Sequence, residues 1–219
     1  MKKIVVLLSS VLILVSGCSI YTLSDSNISK NINTILSSKT NLNNVSFEGY
    51  KYYVPKGLKF INKNDYNALL KDKNNNTYYF YIDVISYYNN IKNNYKVNKK
   101  AYYSKKLNYN NKNGYIEINK VKNKYFIEFV FNYSKVEAYV SKKDLIPTIN
   151  NICYLVKSVK YNDKVLSSIV GENVLDYKEE DFNIFNSKSN DNDFLEYVKE
   201  YDSKKKNTDE ETIDVNNED

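Results

Sequence analysis

Residues 125–140 read YFIEFVFNYSKVEAYV, and LIPTINNICYLVKSV follows at 145–159 after a four-residue link. In the first nine of these residues every second side chain is large and apolar, which is the period of a β-strand with one face against a core. The alternation resumes at Val136, beyond the short polar segment Asn132-Tyr133-Ser134. We therefore predict two antiparallel strands joined by a tight turn.

The second half of the quoted stretch has a different period. Its apolar residues recur at three- and four-residue spacing, as on one face of an α-helix: Leu145, Ile149, Ile152, Val156 and Val159. Asp144 can cap this helix, and Pro147 falls in its first turn, where no backbone donor is needed. A sheet and a helix that are each apolar on one face bury those faces against one another. The predicted fold class is α+β, an antiparallel meander sheet packed against a C-terminal amphipathic helix in a single domain with a disordered tail.

Further strands are predicted upstream of the quoted stretch. Asn-Gly suits a type I′ turn, so Asn113-Gly114 is expected to close a hairpin. The stretch 87–100 is left as loop or short helix, and 58–72 is ambiguous between strand and helix. The strand candidates are Val45–Val54, Thr77–Tyr88, Ala101–Tyr109 and Gly114–Val121.

The chain begins with two lysines, an apolar run over 4–15 and the sequence VSGC at 15–18. This pattern resembles the lipobox signal of bacterial lipoproteins, which implies that Cys18 is acylated and becomes the mature N-terminus. The implied location is the extracytoplasmic face of the cell membrane, with a lipid anchor. The predicted segments are a signal peptide at 1–17, a tether at 18–44, the α+β domain at 45–171, a short helical extension at 172–202 and an acidic disordered tail at 203–219.

A second resemblance lies near the start of the domain. The segment 52–58, YYVPKGL, resembles the aromatic–x–Pro–x–Gly–bulky opening of PsbP-like α/β/α domains, which include the DcrB-like lipoproteins. Many relatives have Trp where this chain has Leu58. The resemblance implies a binding or assembly role and transfers no catalytic residue.

The composition excludes several kinds of chemistry. The chain has no histidine and no arginine, so there is no Ser-His-Asp triad, no imidazole metal ligand and no guanidinium clamp. If Cys18 is acylated, Cys153 has no intramolecular disulfide partner, and its place in the helical pattern predicts a buried, inert thiol. We predict no cofactor and no metal site. The Asn-rich run after Asp72, with Asp83 beyond it, only partly matches a calcium loop, and it lacks the glycine at the sixth position.

The mature chain has a basic part followed by an acidic part. Residues 18–171 carry 24 lysines and 10 acidic residues, whereas 172–219 carry 6 lysines and 16 acidic residues. Lysines and tyrosines interleave in one basic stretch, where ammonium groups attract polyanions and tyrosine rings can stack on sugars or bases. The candidate polyanion-binding residues are Lys92, Lys96, Lys99, Lys100, Tyr102, Tyr103, Lys105 and Lys106. A lysine-rich solvated surface produced by codon bias is the alternative.

Three glutamates offer a catalytic alternative. Glu117, Glu128 and Glu137 lie on adjacent predicted strands, and two carboxylates in a cleft can perform acid–base hydrolysis. We expect instead a solvated sheet surface, and no catalytic residue is assigned. The predicted function is a non-catalytic envelope module that binds an anionic wall polymer, anionic lipid headgroups or a partner protein. An assembly or scaffold factor and a carboxylate-dependent envelope hydrolase are the alternatives; nucleic acid is not the expected ligand.

Overall fold

The computed structural model describes residues 24–171. Its helices are α1 (Asp25–Ser37), α2 (Val84–Tyr88), α3 (Leu145–Ser158) and α4 (Asp163–Gly171), with a 3₁₀ turn at Lys142–Asp144 before α3. Its strands are β1 (Val45–Phe47), β2 (Tyr50–Tyr52), β3 (Lys59–Lys63), β4 (Asn67–Lys71), β5 (Thr77–Ile82), β6 (Tyr103–Tyr109), β7 (Lys112–Val121), β8 (Lys124–Phe131), β9 (Ser134–Ser141) and β10 (Lys160–Tyr161).

Seven strands form one antiparallel sheet in the order β3-β4-β5-β9-β8-β7-β6. The strands β6 to β9 form the predicted meander, and α3 packs across β8 and β9 on one face of the sheet. The core between the two layers includes Phe129, Val136, Ile149 and Ile152, each 0% exposed. The predicted α+β class and the packing of the amphipathic helix on the sheet are therefore confirmed.

A smaller antiparallel sheet, in the order β1-β2-β10, is hydrogen-bonded separately from the large one but shares its core, since Tyr52 of β2 packs against Phe80 of β5. The predicted strand 45–54 is here two short strands, because the chain reverses at Glu48-Gly49 and Val45 pairs with Tyr52. Gly49 has a φ of 86° and lies against the side chain of Leu166 in α4. Glycine adopts a positive φ at little cost, and it has no Cβ atom to clash with Leu166. Its presence at this position explains the break in the strand.

Residues 59–88 contain a hairpin, a strand and a helix. The ambiguous stretch 58–72 forms the β3–β4 hairpin, and the predicted strand 77–88 ends at Ile82. Asp83 then accepts a hydrogen bond from the backbone N–H of Ser86 at 2.8 Å and caps α2. An aspartate in this position satisfies a free helix donor, so the extended conformation stops there.

The hairpin between β6 and β7 turns three residues earlier than predicted, at Asn110-Asn111 instead of Asn113-Gly114. Asn110 and Asn111 have φ values of 51° and 62°, the left-handed pair that a type I′ turn requires. Gly114 instead lies inside β7, so close to β8 that a Cβ atom would be 1.9 Å from the carbonyl oxygen of Val130. Gly114 thus allows the backbones of β7 and β8 to come close together. The turn itself is made by Asn110 and Asn111, because asparagine tolerates the left-handed region.

The helix α1 corrects the prediction of a tether over 18–44. Ser24 caps it by accepting a hydrogen bond from the N–H of Asn27, and an apolar stripe faces the domain: Ile28, Ile32, Ile35 and Leu36, all buried. The helix packs against α3, and Lys157 of α3 donates a 2.8 Å hydrogen bond to the carbonyl of Ile35. A cation at the C-terminal end of a helix is favourable because the free carbonyls there carry partial negative charge. Residues 25–37 therefore belong to the folded domain.

Candidate functional site

The carboxylate row, consisting of Glu117, Glu128 and Glu137, crosses three neighbouring strands on the sheet face opposite α3. Glu117 pairs with Glu128 between β7 and β8, and Glu128 pairs with Glu137 between β8 and β9. The prediction that the three residues are neighbours is confirmed. The prediction of a solvated surface is wrong, since Glu128 is 4% and Glu137 6% exposed.

A buried lysine partly neutralises the carboxylate row. The ammonium of Lys135 lies 3.5 Å from Oε2 of Glu128 and also pairs with Glu137, and Lys135 is itself 3% exposed. The hydroxyl of Tyr115 donates to Oε1 of Glu128. Burial raises the pKa of Glu128, while the charge of Lys135 and the hydrogen bond from Tyr115 act in the opposite direction. Burial and then the charge of Glu128 raise the pKa of Tyr115, which keeps its proton and remains a donor.

Tyr95 closes the row from the solvent side. Its ring stacks on Tyr115 with a centroid distance of 3.9 Å and an angle of 2°, and its hydroxyl donates to Oε2 of Glu117. The amides of Asn98 and Asn119 donate to the other oxygen of Glu117 at 2.9 and 3.0 Å. Hydrolysis by two carboxylates needs a substrate between them. Here lysine, tyrosine and asparagine groups occupy that space, and the row fastens the chain segment that contains Tyr95.

This segment, residues 89–102, is named the lysine loop. No acidic residue occurs between Asp83 and Glu117 in the sequence. Tyr95 and Asn98 hold the loop on the sheet, and the carbonyl of Asn98 also accepts a hydrogen bond from Ser104 at 2.7 Å. Lys106 lies opposite Tyr115 in the β6–β7 register and so shares the sheet face under the loop. The exposed lysines of this surface are Lys92, Lys96, Lys99, Lys100 and Lys106.

Three of the predicted polyanion-binding residues have structural contacts instead. Tyr103 is 8% exposed and belongs to the core. Lys105 alternates to the opposite sheet face, where its ammonium donates to Oγ of Ser29 in α1 at 2.8 Å. Tyr102 packs its ring edge against Tyr125 at a centroid distance of 4.8 Å. The other five lysines of the predicted set lie on the lysine loop or on the sheet face beneath it. Tyr103 and Lys105 are separated from Lys106 because successive residues of a strand point to opposite faces.

The turn groove is an open cavity of about 690 Å³ at the end of the sheet where two hairpin turns meet α2 and α4. Side chains of the lysine loop extend it into a second cavity of about 380 Å³, which shares Asn90, Asn111 and Tyr133 with the first. Sequence reasoning did not predict this groove. The available signal was the Asn-rich turns, since Asn90, Asn111 and Asn132 all have positive φ values. The residues that line the larger cavity are Tyr87, Tyr88, Asn90, Asn111, Asn132, Tyr133, Asp163, Lys164 and Ser167.

The partial calcium-loop pattern forms an ordinary turn. One carboxylate oxygen of Asp72 accepts hydrogen bonds from the N–H groups of Asn74 and Asn76 at 2.8 and 2.9 Å. Asp83 caps α2 at the opposite end of β5, roughly 20 Å away along six extended residues. The two aspartates therefore share no site, and residues 24–171 contain no group of three or more Asp, Glu, Cys or His side chains arranged to hold a metal ion.

Several predictions fall outside the described part of the chain. Cys18, the signal peptide 1–17, the extension 172–202 and the tail 203–219 are among them. Within residues 24–171, no helix combines the length and the apolar composition that crossing a membrane requires.

The segment that resembles the PsbP-like opening contains a turn. Pro55-Lys56-Gly57-Leu58 makes a turn closed by a 3.1 Å hydrogen bond from Leu58 to Pro55, with Gly57 at a φ of 101°. Within residues 24–171, α1 and α3 both lie on one face of the sheet and the lysine loop covers part of the other.

This chain matches no protein-family model, no curated protein and no solved structure.

Proposed function

We propose that this chain is a non-catalytic binding module on the extracytoplasmic face of the cell membrane, anchored through acylated Cys18, and that it binds an anionic envelope polymer. One observation carries the proposal: five exposed lysines lie on or beside a loop that contains no acidic residue, and hydrogen bonds from Tyr95 and Asn98 to Glu117 hold that loop on the sheet. Lysine ammonium groups bind phosphate as point charges, so such a surface attracts a polyanion whatever its sequence.

The lysine loop is ordered before any ligand binds, and this order favours binding. A mobile basic loop would lose conformational entropy on binding, whereas a loop already ordered by the carboxylate row loses less. The lysine heads themselves remain exposed and hydrated, so the attraction is screened by salt. A wall polymer of the teichoic-acid type and anionic lipid headgroups offer the same phosphate chemistry.

The test compares two charge-matched variants. Lys92, Lys96, Lys99 and Lys100 are replaced by Gln in the first variant, and the exposed Lys30, Lys39, Lys56 and Lys59 in the second. Binding to a poly(glycerol phosphate) chain and to phosphatidylglycerol vesicles is measured at 0.05 M and 0.5 M salt. We expect at least tenfold weaker binding at low salt for the first variant, on the basis of about 1 kcal/mol per lysine near an anionic surface. Equal losses in both variants would contradict the proposal.

The polymer and the membrane are distinguished in the same experiment. Preferential binding to the soluble poly(glycerol phosphate) identifies a wall polymer, and preferential binding to vesicles identifies lipid headgroups. The anchor is tested separately by mass spectrometry of the native protein, in which an acylated N-terminal cysteine is expected and an unmodified thiol would contradict anchoring.

The buried carboxylate row supports a non-catalytic role over the hydrolase alternative. Glu128 and Glu137 are closed off by Lys135, Tyr115 and Tyr95, and a glycosidic substrate would have to displace that network. Replacing Glu117 by Gln in a hydrolysis assay on isolated cell-wall material tests this view. A measurable activity that this replacement abolishes would favour the enzyme.

A protein-binding scaffold role is the second candidate, and the edge strand β3 favours it. All five residues of β3 are exposed, including Phe60 and Ile61, and β3 pairs only with β4 in the described sheet. Lys59 and Lys63 at its two ends oppose the addition of another strand, since charged lysines commonly protect sheet edges. Capture of one specific protein that is lost in Phe60→Asp would support the scaffold role.

A further inference from the structure

We propose that the turn groove is a second binding site, which takes a pyranose sugar unit of a glycan, with the Tyr88 ring as the stacking surface and the side-chain amides of Asn90 and Asn111 as hydrogen-bonding groups. The inference deepens the proposed function, because an envelope polymer that contains sugars would extend from the lysine loop into the groove. Binding of a neutral sugar in the groove requires no contact with the lysines of the loop.

The groove has the size and continuity that an oligosaccharide requires. Its main cavity of about 690 Å³ lies within the range of about 300–1,000 Å³ that small-molecule sites occupy. The adjoining cavity of about 380 Å³ contains Lys92 and continues toward the lysine loop. A chain of sugar units fits such an elongated, open groove better than a compact ligand does.

Tyr88 provides an available aromatic face. It is 42% exposed, and its ring stacks on no other ring of the described residues. Pyranose rings present a face of C–H groups, which packs on an aromatic ring, and a rim of hydroxyl groups, which needs polar partners. An exposed tyrosine supplies a rigid, amphipathic contact at low entropic cost.

The side-chain amides of Asn90 and Asn111, which line the same cavity as Tyr88, suit the hydroxyl rim. Oδ1 of Asn90 accepts a hydrogen bond from the hydroxyl of Tyr133 at 3.1 Å, which leaves its NH₂ group to donate. The exposed Asn111 side chain has no hydrogen-bond partner within residues 24–171, so it offers both a donor and an acceptor. An apolar ligand would leave these groups without partners, whereas adjacent hydroxyl groups can both donate and accept.

The framework of the groove is fixed before any ligand arrives. The hydroxyl of Tyr161 donates to the backbone carbonyls of Asn132 and Tyr133 at 3.0 and 2.8 Å, which fastens the β8–β9 turn. The ring of Tyr161 stacks on Tyr87 at 3.8 Å, which places the end of α2 against the same turn. A site built on such contacts loses little conformational entropy on binding.

Charge in the groove favours a neutral ligand at this site. The carboxylate of Asp163 accepts a 2.7 Å hydrogen bond from the hydroxyl of Tyr87. Burial and then this carboxylate raise the pKa of Tyr87 to about 12, so the phenol stays protonated. Because Asp163 balances the neighbouring Lys164, the groove lacks the positive excess of the lysine loop.

The experiment uses the full chain in detergent and a panel of neutral oligosaccharides of glucose, galactose and N-acetylglucosamine. Binding is measured by calorimetry in 0.5 M salt, where contacts to the loop lysines are screened. We expect at least one member of the panel to bind. Tyr88→Ala should weaken that binding at least tenfold and Asn111→Ala severalfold, whereas Tyr88→Phe should retain it.

Phe60→Ala is the matched control, because it removes another exposed aromatic ring at a distance from the groove. A thermal melt of each variant excludes unfolding as the cause of a loss. Failure of the whole panel to bind, or unchanged binding in both Tyr88→Ala and Asn111→Ala, would overturn the sugar site. Neither result alters the low-salt polyanion measurement, so failure of this site and failure of the lysine-loop proposal are distinguishable.

Discussion

The two faces of the seven-stranded sheet are both covered, but with different chemistry. The face under α3 is apolar and includes Ile127 and Phe129, each 0% exposed. The opposite face buries Glu128, Glu137 and Lys135, and the lysine loop is held on the same face at Glu117. When an apolar side chain is shortened, the free energy of unfolding falls in proportion to the volume of the cavity that is left. When one member of a buried charge network is removed, the remaining charges are left buried without partners, so the whole network is destabilised. The contrast predicts how substitutions on the two faces should differ.

The largest loss is expected on the helix-covered face. Phe129→Ala should lower the free energy of unfolding by about 3–5 kcal/mol, because it removes a fully buried ring and leaves a cavity between β8 and α3. Urea unfolding measures the change. Phe60→Ala, at a 36% exposed position, is the control and should cost far less. Equal losses at the two positions would refute the packing of α3 on this face.

On the loop-covered face, Lys135→Met should cost about 3 kcal/mol. The substitution keeps much of the side-chain volume but leaves Glu128 and Glu137 buried without a cation. Adding Glu128→Gln and Glu137→Gln to this variant should recover most of the lost stability, because no unpaired carboxylate then remains buried. Urea unfolding of the single and triple variants provides the comparison, and a triple variant less stable than the single one would contradict the network.

A smaller effect is expected where the loop joins the row. Tyr95→Phe keeps the stack on Tyr115 but removes the hydroxyl that donates to Glu117, at a cost of about 0.5–1.5 kcal/mol. Hydrogen exchange of the loop amides should accelerate while exchange in β8 stays slow. Tyr88→Phe removes an exposed tyrosine hydroxyl and is the control. Unchanged loop exchange in Tyr95→Phe would show that the hydroxyl does not hold the loop.

The smallest predicted effect is a difference in pH dependence. Burial is the largest influence on Glu128 and raises the pKa of its carboxyl above the ordinary value of a glutamate, so the folded protein retains a proton at a pH where the unfolded chain has already released it. The stability contributed by this proton is present at acid pH and is lost as the pH rises through the folded pKa. The melting temperature of the wild type relative to Glu128→Gln should therefore increase as the pH is lowered from 7 toward 5.

The exposed Glu48→Gln corrects for the change in net charge in this experiment. A difference between wild type and Glu128→Gln that stays constant over the same pH range would mean that the carboxyl of Glu128 does not titrate differently in the folded and unfolded states.

The elements with strong periodicity could be predicted from the sequence. The alternation through β8 and β9 and the three- and four-residue spacing in α3 each specify a buried face, and the structure has both elements within a residue or two of the predicted ends. The adjacency of the three strands that carry the carboxylate row was also predicted, because short turns join antiparallel strands that follow one another in the chain.

What could not be predicted depended on contacts between distant segments. Ser- and Asn-rich composition concealed α1, whose helix depends on packing its four apolar residues against α3. The hydrogen-bonded environment of Glu128 extends through Tyr115 to Tyr95, which lies 33 positions before Glu128 in a segment without periodicity. The turn groove unites two hairpin turns with α2 and α4, and nothing in the local sequence of any one of these elements indicates that they meet.

Cys153 of α3 gives the helix-covered face a built-in chemical probe. The thiol is buried, and burial raises its pKa, so in the native state it has neither access to an alkylating reagent nor appreciable thiolate. Its modification therefore requires that the packing of α3 against the sheet and α1 opens. The alkylation rate of the peptide that contains Cys153, followed by mass spectrometry, should therefore report how often this layer opens, even in a mixture of proteins where no spectroscopic signal can be isolated.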